Sequence, residues 1–191
     1  GLDQHKEWTS QQGLLQSLLI GRSLPALSLV EPLYEIAETK ILHHRYPEIA
    51  KYQMSCFAAK ESARGKRWCE ACDKCAYMFT LFKAFRIDTE ILGFSDDLFD
   101  EGHSYLFETF FSRTQSSHFY GSQGELALGF YYAMRNQCSG FSIDRFKTDL
   151  LPQLDIQELN EKYLGIHPTV NMPLLLKKQV VDIFEKELCT L

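Results

Sequence analysis

The sequence predicts a mainly α fold: a single helical domain with a four-cysteine metal-bound loop and room for one or two short strands, near Leu27 and Trp68. Three observations lead there. Apolar residues recur at helical spacing in segment after segment, and alternating runs are scarce. Three cysteines stand three residues apart in RWCEACDKCAY, from Arg67 to Tyr77, directly ahead of an apolar stretch. A chain of 191 residues can bury one sizeable core, and residues 1–191 read as one unit without internal repeats or Gly/Ser linkers.

Leu14 to Leu19 reads as a short amphipathic turn or helix ending near Gly21, and Pro25 to Val30 as a short extended segment. Glu31-Pro32 opens a helix, with proline at a first position where its missing N–H costs nothing. Leu33, Ile36, Ala37 and Ile41 fall on one stripe of it, and Glu31, Glu35 and Glu38 on a side that reads as facing water. Pro47 stops that helix, and a shorter one follows to Met54. Asp73 suits the positive end of the next helix, which runs to about Phe85 and is apolar nearly all round, as a buried helix is. Tyr105 to Phe111 predicts another packed helix. Ser122 and Glu125 have capping-box spacing and start a helix to about Arg135. Ser142–Leu150 and Asp155–Leu164 read as short helices, and Asn171-Met172-Pro173 starts the last, ending near Leu188.

Composition narrows the function classes. A net charge of −5 argues against a general nucleic-acid binder, which needs a basic face to displace counterions. No apolar run approaches bilayer length, and GLDQHKEW lacks a signal-peptide pattern. Six cysteines in a chain of this length do not make a disulfide scaffold, so a reducing cytoplasm is expected.

Four of those cysteines form Cys56-x12-Cys69-x2-Cys72-x2-Cys75. Thiolates three residues apart, on a turn leading into a helix, can converge on one ion, and a fourth from a preceding loop closes a tetrahedron. Such a site holds structural Zn2+ and leaves no position for a reacting water. An iron–sulfur cluster is the alternative, but nothing like the downstream cysteine–proline of ferredoxin runs follows Cys75. Metal binding would order the polar loop between Cys56 and Cys69. Within that loop, Lys60, Arg64, Lys66 and Arg67 could contact phosphate, with a solvated loop as the alternative. Lys74 could offset thiolate charge or reach a ligand. His118 precedes a helix start, where anions bind. Cys138 reads as a thiol buried in an apolar helix.

The segment from Ser55-Cys56 through WCEACDKCAYMFTLFKAF resembles the cysteine segment of PP-loop-type ATP-using enzymes. It is more distantly similar to the 7-cyano-7-deazaguanine synthase family, which holds zinc with four cysteines. It is closer to the family of UDP-N-acetylmuramoyl-L-alanyl-L-glutamate epimerases. LVEPLYEIAETKILHHRYPEIAKYQMSC (Leu29–Cys56), LGFSDDLFDEGHSYLFETF (Leu92–Phe110) and FYGSQGELALGF (Phe119–Phe130) are similar to that family's flanking stretches. The last maps a family motif onto Gly121 and Glu125, with Phe119 and Tyr120 where the family often has a cysteine. The family's Ser-Gly-Gly-x-Asp-Ser nucleotide loop does not occur in this sequence.

The resemblance implies the C-terminal, substrate-contacting and stabilising part of a longer ATP-dependent epimerase-like enzyme acting on a peptidoglycan precursor. Catalytic residues stay unassigned, and Arg64, Lys66, Arg67, Lys74, His118 and Glu125 are the substrate-binding candidates. ATP and Mg2+ would enter only through an N-terminal nucleotide-binding half. The partners implied are that half, or a nucleotide-sugar peptide; this chain alone is expected not to turn ATP over. The alternative is a non-catalytic, zinc-ordered protein-interaction module.

Overall fold

The structure, a computed structural model, describes residues 6–23, 26–56, 65–112, 122–169 and 172–190. In chain order the helices are α1 (Lys6–Ile20), α2 (Glu35–Arg45), α3 (Pro47–Ala50), α4 (Asp73–Ala84), a 3-10 segment (Glu101–Phe107) running into α5 (Glu108–Phe111), α6 (Gln123–Arg135), α7 (Phe141–Asp149), a 3-10 turn (Leu151–Gln153), α8 (Ile156–Tyr163) and α9 (Leu174–Thr190). The fold is mainly helical, as predicted.

No strand occurs among the described residues, so neither expected strand forms. Leu27 lies in irregular chain. Trp68 is fully buried in the turn that leads to the cysteines, and its indole N–H donates to the Leu92 carbonyl at 2.9 Å. A side chain taken up in this way fixes the segment as a loop, with no backbone ladder to join.

Helix α4 is the centre of the molecule. Met78, Phe79, Leu81 and Phe82 are fully buried on different sides of it, which is why its sequence shows no polar face. Its main partner is α6. Gly129 lets the two helices approach closely, since a Cβ there would lie 3.1 Å from Thr80 Cγ2 and 3.2 Å from Leu81 Cδ2. Beyond α6, Phe130 stacks on Phe110 and Phe146 and meets Phe99 and Phe107 at ring distances near 5 Å. Such pairs add roughly 0.5–1.5 kcal/mol each beyond area burial.

Three expected boundaries move. The helix expected from Glu31 begins at Glu35, because Val30 to Leu33 close a turn (Leu33 N–H to Val30 C=O, 3.0 Å) and Pro32 is buried there. The N-terminal helix is longer than expected and starts at Lys6. The Tyr105–Phe111 stretch passes from 3-10 to α-helix at Glu108 and leaves Tyr105 exposed while Phe107, Phe110 and Phe111 enter the core. Cys138, expected within a helix, follows the end of α6; Gln137, at φ +68°, breaks the helical path. No described helix is long and apolar enough to cross a membrane.

Candidate metal centre

Cys56, Cys69, Cys72 and Cys75 converge, with all four Sγ atoms within 4.8 Å of one another. The turn Cys69–Cys72 delivers two of them to the start of α4, where Cys72 is the N-cap and Cys75 lies on the first turn. The Cys72 and Cys75 sulfurs are 3.5 Å apart, and those of Cys69 and Cys75 3.7 Å. Tetrahedral zinc thiolates with bonds of about 2.3 Å place neighbouring sulfurs about 3.8 Å apart, so the donor set fits one ion. A disulfide needs about 2.05 Å, and none of the six cysteines forms one.

Electrostatics single out Cys72. Its sulfur lies against the Cys75 sulfur and accepts the Cys75 N–H (3.4 Å), and hydrogen bonding with Cys75 pulls its pKa down to about 5. Burial pushes the Cys69 thiol up to about 11. Hydrogen bonding with Cys72, then burial, pushes Cys75 upward as well. The Cys56 sulfur accepts from the Cys69 N–H at 3.3 Å, which draws the upstream ligand to the turn. A metal would therefore meet one ready thiolate and displace protons from its neighbours.

The cationic candidates divide. Arg67 Nη2 donates to the Lys51 carbonyl (2.6 Å) and the Gln53 carbonyl (2.9 Å), clamping the chain that leads to Cys56. Lys66 is exposed and lies 3.6 Å from the Glu70 carboxylate. Arg64 and His118 lie outside the described residues, as does the Gly121 position.

Lys74 and Glu125 are brought together where α2, α4 and α6 begin. Lys74 is buried, and its ammonium pairs with Glu35 at 2.7 Å, so a carboxylate is its direct partner in place of the expected thiolates. Glu125 is 4% exposed. Its Oε1 accepts the Ile36 N–H at 3.2 Å, across from α6 to α2. Tyr34, the N-cap of α2, offers no side-chain cap, and Glu125 supplies the missing acceptor. Tyr77 faces the Glu125 carboxyl and acts to lower its pKa. Ser122 Oγ accepts the Glu125 N–H at 3.5 Å, the expected cap of α6, while the Glu125 side chain reaches to α2.

Burial raises the Glu125 carboxyl to about 7, and burial with the Glu35 and Glu125 charges raises Glu38 to about 7. Glu35 and Glu38 are thus half-buried members of a polar cluster around Lys74 and Glu125, where the sequence predicts a water-facing row. The sequence does hold a signal for it. A lysine inside an otherwise buried helix demands a carboxylate from elsewhere in the chain.

Compared with protein-family models, with curated proteins and with solved structures, the chain matches none.

Proposed function

We propose that this chain is a zinc-ordered helical domain that supplies stability and substrate contacts to an ATP-dependent enzyme of the PP-loop type. The convergence of four sulfurs at single-ion spacing carries the reading. Zinc is favoured over an iron–sulfur cluster, because a cluster spreads its four thiolates over different irons whereas here all four share one small volume. With four protein thiolates the ion has no open position; Cys56, Cys69, Cys72 and Cys75 would hold it, and its contribution is to folding. The compartment that suits free thiols is the reducing cytoplasm.

The enzyme context rests on the resemblance to the UDP-N-acetylmuramoyl-dipeptide glutamate epimerases. The activity would be ATP-dependent epimerisation of a peptidoglycan precursor, with nucleotide chemistry in an N-terminal half. Leu14, Leu18 and Leu19 of α1 stand 63%, 73% and 78% exposed, a surface consistent with such a neighbour. The same surface favours the second reading, a non-catalytic zinc-ordered interaction module.

Elemental analysis of the purified chain tests the metal: about one zinc per chain is expected, and iron or no metal overturns the proposal. Two assays address the context. The isolated chain should not hydrolyse ATP, and measurable turnover overturns the division into halves. Calorimetric binding of UDP-N-acetylmuramoyl-dipeptide supports the enzyme reading. Its absence from zinc-loaded protein favours the interaction module.

A further inference from the structure

We propose that Glu70 is a positioning residue for the metal loop: its buried carboxylate, anchored on Ser95 and Asp96, holds the Cys69–Cys72 turn in the bend that the sulfurs need to converge. The inference rests on the reading of the four cysteines as a metal site and adds to it a residue that is not a ligand.

Glu70 and Ala71 are the two residues between Cys69 and Cys72. Glu70 has φ +54°, the left-handed region that favours glycine and costs other residues roughly 1–2 kcal/mol. It is also 4% exposed, and a carboxylate is almost never so buried without partners. Both costs have one explanation in the geometry. The carboxylate accepts hydrogen bonds from the Ser95 N–H, from the Ser95 hydroxyl at 2.7 Å and from the Asp96 N–H at 3.2 Å. Lys66 adds an ammonium at 3.6 Å.

A glutamate is a poor choice for this place on charge grounds, since four thiolates around a divalent ion already leave an excess of negative charge. Its value is therefore geometric. Ser95 and Asp96 lie just after the turn that contains Leu92, whose carbonyl accepts the Trp68 indole N–H. The chain is thus held two residues before Cys72, by Glu70, and one residue before Cys69, by Trp68. Arg67 fixes the opposite side, on the carbonyls of Lys51 and Gln53. With the turn already bent, metal binding has less chain to order.

The test is a Co2+ titration of the full chain, with zinc competition and the visible cobalt–thiolate spectrum as readouts. The parent should show a tetrahedral thiolate spectrum. Glu70→Gly relieves the backbone strain but removes the anchor, and it should bind Co2+ about 10- to 100-fold more weakly with an altered spectrum, as loss of an outer hydrogen-bonding partner does. Glu70→Gln keeps an acceptor oxygen and should stay within about threefold of the parent.

Parent-like affinity and spectrum for Glu70→Gly overturn the proposal while leaving the metal site standing. A parent that binds neither ion overturns both. Should Glu70→Gly not fold by circular dichroism, Ser95→Ala decides: weaker binding by folded protein supports the role of Glu70, and parent-like binding overturns it. A merely structural residue would lower the melting temperature of the metal-free chain without changing metal affinity or spectrum.

Discussion

At the scale of single residues, the cysteines and the buried carboxylates respond to different conditions. Cys72 is at once an N-cap and the thiol most ready to ionise. Cys72→Ser should lower the stability of the metal-loaded chain by several kcal/mol, roughly the effect of losing a structural-metal ligand, and a thermal melt indistinguishable from the parent's would count against the metal. Glu125 follows the opposite logic. Its folded pKa, about 7, lies above the ordinary 4.5, so folding favours its protonated form. That contribution is fully present below the unfolded pKa and is lost as pH rises through the folded value. With metal saturating, parent stability should therefore fall between about pH 5 and 8, and Glu125→Gln should reduce that fall by on the order of 2 kcal/mol. The glutamine oxygen can still cap α2, so a variant whose stability profile parallels the parent's would refute the assignment. The residues that face this carboxyl are Glu35 and Glu38 from α2 and Lys74 and Tyr77 from α4.

At the scale of elements, the close approaches decide what is tolerated. Gly140 precedes α7 at φ +131°, and a Cβ there would lie 2.7 Å from the Phe99 carbonyl oxygen. That oxygen already accepts the Ser142 N–H at 3.0 Å, so the backbone cannot retreat without losing the start of α7. Gly140→Ala should cost about 1–3 kcal/mol, read as a lower denaturant midpoint with an unchanged slope. Phe130 sits where α6 meets α5, α7 and the 3-10 segment, and Phe130→Ala should cost about 3–5 kcal/mol by the same measurement. Element positions were largely legible. The expected end of α6 at Arg135 and the run of α4 from Asp73 agree with the structure, because caps and apolar periodicity are local signals. The start of α2 was not, because its capping acceptor comes from Glu125, 89 residues away.

At the scale of the whole molecule, the four cysteines join the loop ahead of α4 to the core. Cys75 is buried within the main apolar cluster, and Cys56, Cys69 and Cys72 pack against it. Removing metal with a chelator should therefore lower the melting temperature of the entire domain, and restoring zinc should raise it with a dependence on free metal concentration. A melt unaffected by chelator would show that the loop is uncoupled from the fold. The apolar residues of α1, and Leu174 and Leu175 of α9 at 87% and 90% exposed, mark the surfaces that this core does not cover.

The helical class, most helix positions and the grouping of four cysteines were readable along the chain, because periodicity, caps and ligand spacing are written within a few residues of one another. Contacts between distant segments alone bring Glu35 to the buried Lys74 ammonium, set the Arg67 guanidinium on backbone carbonyls and seat the Glu70 carboxylate on Ser95. Each of those roles depends on a partner 14 to 39 residues away or further, and the free energy of burying a charge is set by that partner and not by neighbours along the chain.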